Sequence, residues 1–111
     1  MNLLRLKLIK FLKKKSKEND APIWMSVAKF LERPRIVNVG KISRLTKDGD
    51  LVIVPGKVLG GGSINHNVIV GAYNFSEKAR RKINEAGGKA LSLEEFINLY
   101  PKGSRVLVIG G

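Results

Sequence analysis

Apolar residues recur at Leu4, Leu8, Phe11 and Leu12, and at about 100° per residue they share one side of a helix predicted over 3–17. Lys7, Lys10, Lys13, Lys14 and Lys17 fall on the opposite side. Lys17-Glu18-Asn19-Asp20 reads as a turn, with Asp20 as the N-cap and Pro22 in the first turn of a second helix. That helix should run to about Glu32, with Ile23, Val27 and Leu31 as its apolar stripe. Trp24 sits beside the stripe, which marks it as a core anchor rather than a ring for stacking a base. Pro34 closes the helix, because the residue before a proline avoids the α region.

Beyond Pro34 the period changes. Ile36-Val37-Asn38-Val39 reads as a short strand, and Ile42 and Leu45 are spaced for a helical turn. Lys47-Asp48-Gly49-Asp50 is a turn. Leu51-Val52-Ile53-Val54 is an unbroken apolar run, as expected of a strand buried on both faces. Val54 through Gly62 (Val-Pro-Gly-Lys-Val-Leu-Gly-Gly-Gly) reads as a glycine-rich loop, and Asn67 to Tyr73 as the next strand. Ser76 should cap a helix reaching about Ala86, stopped by Gly87-Gly88. Ser92 and Glu95 form a capping box opening a short helix that ends before Pro101. Val106-Leu107-Val108-Ile109 is the last strand. The order predicts an α/β fold: a small sheet with packed helices, preceded by an N-terminal basic helix. It also suggests a division into a helical extension, 1–34, and an α/β core, 35–111.

Charge changes the picture. The chain has 111 residues, with 21 Lys and Arg against 9 Asp and Glu, for a net charge of +12. Seven basic residues and no acid lie in 1–17. Like charges at i,i+4, such as Lys10/Lys14 and Lys13/Lys17, repel unless a counter-charge is present, so the face points to a polyanionic partner. There is no cysteine, which excludes disulfides and thiolate metal sites and suits a reducing compartment. No apolar run reaches the ~18 residues of a membrane span. Arg5, Lys7 and Lys10 break any signal-peptide core, and the lysine-rich start is unlike a transit peptide.

Sites for chemistry are scarce. Asp48-Gly49-Asp50 could hold a divalent ion, but no further acid is near and turn chemistry accounts for it. His66 is the single histidine; with no nucleophile or second ligand nearby, it reads as a surface residue against a phosphate or base edge. The glycine loop lacks the Gly-Lys-Ser/Thr of a Walker A motif, and Lys57 within it suggests phosphate contact. Lys78, Arg80, Arg81 and Lys82 cluster on the third long helix, opposite Ala79, Ile83 and Ala86.

Four stretches, in order, carry a resemblance: Val27 through Arg35, Val37 through Ile42, Asp48-Gly49-Asp50 with Val54 through Gly60, and Phe75 through Leu91. Together they resemble the archaeal and eukaryotic family of large-subunit ribosomal protein eighteen (the "e" type), related to bacterial large-subunit protein fifteen. The length is similar to that of archaeal members. The resemblance implies a core of irregular strand–strand–helix turns. It also implies a cytoplasmic, ribosome-associated structural protein that binds large-subunit ribosomal RNA beside neighbouring ribosomal proteins. It implies no catalysis, cofactor, metal, small-molecule substrate or membrane. Expected phosphate partners are Arg5, Lys7, Lys10, Lys13, Lys14, Lys15, Lys17, Arg33, Arg35, Lys41, Arg44, Lys57, Lys78, Arg80, Arg81 and Lys82. Gly60, Gly61, Gly62 and His66 complete the expected RNA surface. Two alternatives remain: a free-standing nucleic-acid-binding regulator using helices 3–17 and 22–32, and a membrane-surface protein held by residues 3–17.

Overall fold

The computed structural model describes residues 2–110. They form five helices and five strands: an opening helical pair, then strands and helices in alternation except that β3 follows β2 directly. The helices are α1 (Leu3–Glu18), α2 (Pro22–Phe30), α3 (Val39–Leu45), α4 (Glu77–Glu85) and α5 (Leu93–Leu99). The strands are β1 (Arg35–Asn38), β2 (Asp50–Leu59), β3 (Val68–Phe75), β4 (Lys89–Ser92) and β5 (Val106–Val108). The fold is α/β, as expected.

Every strand pairing is parallel. β2 is the central strand. β3 lies along one of its edges, and β4 continues the sheet beyond β3. The other edge of β2 is shared by two strands end to end. β5 pairs with Leu51–Ile53, and β1 pairs with Gly56–Leu59.

Alternation along β2 and β3 splits the core into two layers, because successive side chains point to opposite faces. Val52, Val54, Val68, Val70 and Ala72 join Val39, Ile42, Ala79 and Ile83 of α3 and α4 on one face. Leu51, Ile53, Ile69 and Tyr73 join residues of α1, α2 and α5 on the other. Helices therefore cover both faces of a parallel sheet, which explains the apolar run of β2. The α1–α2 pair packs onto the sheet through Leu8, Ile9, Leu12, Trp24, Val27 and Ala28.

Several local expectations shift. Leu4 is 71% exposed, whereas Ile9 is buried, so the apolar stripe of α1 is rotated toward Ile9. Asp20 is not an N-cap: it takes φ +49°, and Ala21 occupies the cap position without a side-chain bond. β2 does not end at Val54 but runs through Pro55, Gly56 and Lys57 to Leu59. Its glycine is demanded by β1, since a Cβ on Gly56 would overlap the Arg35 carbonyl oxygen. β4 has no counterpart in the sequence reading, because Lys-Ala-Leu-Ser has no β-branched residue to mark it.

Candidate nucleic-acid interface

The outer face of α1 is the largest single array of cations. Asn2 caps the helix, its Oδ1 accepting from Leu4 N (2.8 Å) and Arg5 N (3.2 Å). Lys7, Lys10, Lys13, Lys14 and Lys17 are exposed, while Arg5 and Lys15 are half-buried. Glu18 is the first acid along the chain, and both Lys14 (3.7 Å) and Lys15 (3.2 Å) reach it. Lys15 also lies 5.6 Å from the centre of the Phe11 ring, so its ammonium is drawn down the helix side. The remaining α1 lysines extend outward with no acid on the preceding turns.

A second set lies along the β1–β2 junction, at the start of β1 and the later part of β2. Lys57 is exposed on β2, paired in register with Ile36 of β1 and Asn74 of β3. Arg35 is the residue before Ile36, so Arg35 and Lys57 flank one strand junction, with the Arg35 guanidinium 5.9 Å from the Phe30 ring centre. Arg33 is exposed just before β1. Past Leu59 the chain enters the Gly60–Gly62 turn. Gly61 N donates to Asn38 Oδ1 (2.9 Å), and Gly40 N donates to Gly61 O (2.9 Å). Lys82 Nζ donates to Gly60 O (2.8 Å) and also to Gly62 O.

The glycines are needed because the protein closes on itself here. A Cβ on Gly60 would lie 2.5 Å from Lys78 Cγ, one on Gly61 2.5 Å from Asn38 Oδ1, and one on Gly62 2.8 Å from Gly40 Cα. Gly62 also has φ +80°, a conformation that side chains disfavour. An open groove of about 440 Å³ runs between this turn and α3, lined by Asn38, Gly40, Lys41, Arg44, Gly61 and Gly62 among others, with no acid in its walls. Lys41 Nζ bonds Gly110 O at 2.8 Å.

The four cations of α4 have different surroundings. Lys78 and Arg81 are exposed. Arg80 stacks 5.1 Å from the Phe75 ring centre and reaches Ala90 O at 3.4 Å. Lys82 is half-buried against the glycine turn. Because α1 and α4 cover opposite faces of the sheet, the expected site residues form separate groups rather than one patch. Asn38, which anchors Gly61, escapes a reading of the sequence; an asparagine between a strand and a helix has no mark that separates it from an ordinary cap.

His66 is part-buried with Nε2 2.8 Å from Thr46 Oγ1. The Thr46 hydroxyl donates to Ile42 O (2.7 Å), which leaves its oxygen as the acceptor toward His66. Asp48 and Asp50 close a turn: Asp48 Oδ1 accepts from Asn67 N and Nδ2, and Asp50 Oδ2 accepts from Lys47 N. Among the described residues no cluster of three metal-donor side chains occurs, and no helix is long and apolar enough to cross a membrane.

Comparison with known proteins leads to one family. The profile of the family of ribosomal proteins 50S-L15 and 50S-L18e, which includes a 60S counterpart, matches residues 5–91. Large ribosomal subunit protein eL18 of Pyrobaculum aerophilum is 49% identical over 106 residues, covering 92% of this chain and 87% of the relative. The eL18 protein of Methanococcus maripaludis is 50% identical over 106 residues, covering 92% and 88%. That of Archaeoglobus fulgidus is 50% identical over 103 residues, covering 89% and 88%. The matched region spans nearly all of α1 through β4, the whole of the glycine turn included, and the chain belongs to the family of ribosomal proteins 50S-L15 and 50S-L18e.

Proposed function

We propose that this protein is a structural constituent of the large ribosomal subunit that binds and stabilises folded large-subunit ribosomal RNA. Membership of a ribosomal-protein family carries the proposal. The exposed cations supply its physics: Lys7, Lys10, Lys13, Lys14 and Lys17 on α1, Arg33, Arg35 and Lys57 along the β1–β2 junction, Arg44 by the groove, and Lys78 and Arg81 on α4. Contacts to phosphates position a protein without reading sequence, and RNA helices are recognised by shape and 2′-hydroxyls. The setting is the cytoplasmic ribosome, with other large-subunit proteins as neighbours and no catalytic step.

The rival reading, a regulator using α1 and α2 as a helix-turn-helix-like pair, gains no support. Trp24, Val27 and Ala28 of α2 are buried against the sheet side of the molecule, and Trp24 Nε1 donates to Pro101 O at 2.7 Å. Little of α2 is left to enter a groove of nucleic acid.

Sedimentation of native lysate tests the role: the protein should travel with the large subunit through a moderate salt wash. Recovery only at the top of the gradient would end the ribosomal reading. Binding to isolated large-subunit RNA tests the surface. Replacing Lys10, Lys13 and Lys14 together by Gln should flatten the log–log salt dependence by about 2–3, at roughly 0.7–0.9 per phosphate no longer neutralised. An unchanged slope would remove α1 from the interface.

A further inference from the structure

The cations of α4 have one sequence pattern but two orientations. Lys82 directs its ammonium at the carbonyl oxygens of Gly60 and Gly62, the residues on either side of Gly61 in the chain. The same turn is held from its other side, where Gly61 N donates to Asn38 Oδ1 and Gly61 O accepts from Gly40 N. Lys78 lays its stem over Gly60 one helical turn earlier. A lysine ammonium has three donors on a compact head, so it can join two carbonyls that converge on one point. Two carbonyl oxygens aimed at one point repel each other, and a cation that both accept from offsets that repulsion.

We propose that Lys82 is a positioning residue: it acts as an internal strut that fixes the shape of the Gly60–Gly62 turn, and does not itself meet phosphate. The turn's outer side, with Gly61, Gly62 and Ser63 exposed, is the surface a partner meets. The partner's identity as RNA rests on the function proposed above; the strut itself does not. Thus Lys82 acts on binding through the turn, whereas the exposed Arg81 beside it acts through its own charge.

Hydrogen exchange on the full-length protein without RNA tests the strut. In Lys82→Met the Gly40 and Gly61 amides should exchange about tenfold faster or more, the size expected when a charged hydrogen bond is removed. Core amides of Val52 and Val70 should be unchanged and report that the fold persists. Lys82→Arg keeps the charge but replaces the compact head by a broad planar fork, and should loosen the same two amides. Wild-type protection in both variants would overturn the proposal.

Binding to isolated large-subunit RNA across a salt series supplies the second arm. Lys82→Met should weaken binding several-fold at an unchanged salt slope, while Arg81→Gln should flatten the slope by about 0.7–0.9. A slope flattened equally by Lys82→Met would make Lys82 a phosphate contact and overturn the proposal. Failure of the wild-type protein to bind RNA would sink the proposed function, and the exchange arm would still decide the strut.

Discussion

The two faces of the sheet are built from different material. The α1–α2–α5 face is aromatic: Trp24 meets Phe96 edge to face at 6.3 Å, and Phe96 meets Tyr100 at 5.0 Å. Gly71 of β3 is small so that Phe96 can lie on the strand; a Cβ there would be 2.7 Å from the Phe96 Cβ. The α3–α4 face is nearly all Val, Ile and Ala, with Phe75 at its margin. Three helices cover the aromatic side, while α3 and α4 cover the aliphatic side, where Lys78 and Lys82 of α4 meet the glycine turn. The cations follow suit. On the aromatic face they stand on a helix that packs only through its inner stripe, so most project outward. On the aliphatic face the helix lies beside a turn rich in carbonyl groups, and one lysine is drawn inward.

The sharpest way to break this contrast is to remove the aromatic anchor. Phe96→Ala should destabilise the fold by about 3–5 kcal/mol, whereas Ile83→Val on the other face should cost only about 0.5–1.5 kcal/mol. Urea unfolding of both variants checks it, and equal midpoints would erase the distinction. Ser92→Ala comes next. It removes the side-chain half of the capping box that starts α5 beneath Phe96, where Ser92 Oγ accepts from Glu95 N and Ser92 N donates to Glu95 Oε1. A loss of about 1 kcal/mol is expected by thermal or urea unfolding.

Outward charge should matter for RNA and hardly for folding. Lys14→Gln relieves its repulsion with Lys10 but gives up its pairing with Glu18, so the net stability change should stay within about 0.5 kcal/mol. Lys13→Gln, which only relieves Lys17, should stabilise by about 0.2–0.5 kcal/mol in low salt. A large loss in the Lys13 variant would mean that α1 carries hidden structural charge, like α4.

The smallest effect is acid-dependent. Hydrogen bonds from the Ser92 backbone and then its side chain hold the Glu95 carboxyl below its ordinary range, with Arg80 adding a minor pull. A lowered native value means that the unfolded chain binds the proton more readily. The resulting stability is fully present above the ordinary Glu value of about 4.3 and is lost as pH falls through the native one. Wild type should therefore exceed Glu95→Gln slightly at pH 7 and match it at low pH. A gap that persists at low pH would assign the difference to packing.

Legibility in the sequence followed local determinism. The 3–17 helix emerges as Leu3–Glu18, and the Ser76 cap, the Gly87 stop at φ +85° and the Ser92–Glu95 box stand where local chemistry put them. The misses are tertiary. Pro55 and Gly56 look like a loop until β1 is laid against them, when the glycine becomes the only residue that fits. Lys82 is indistinguishable from Lys78 by helical spacing, since both project from the same side and only the neighbouring turn decides which one folds inward. Leu4 and Ile9 exchange roles because the docking angle of α1 on the sheet, not its own period, selects the buried stripe. The separate placement of the α1 and α4 cations was equally out of reach, because it depends on which face each helix covers.

The end-to-end placement of β1 and β5 along β2 has a consequence for biosynthesis. The chain leaves its synthesising ribosome from the N-terminus, so β1, β2 and β3 are available well before residues 106–108 emerge. During that interval the Leu51–Ile53 edge of the central strand has its β3 neighbour but lacks its β5 neighbour. A bare strand edge beside apolar residues is a template for wrong pairing. The sheet is thus completed by the seating of a three-residue strand, fastened when Ile109 N donates to Ile53 O at 2.9 Å. Lys102, donating to Asn19 O at 2.9 Å, draws the same late segment onto the turn between α1 and α2. The last strand made is thereby joined to the first helices made, so the central edge stays open to mispairing until residue 109 has emerged.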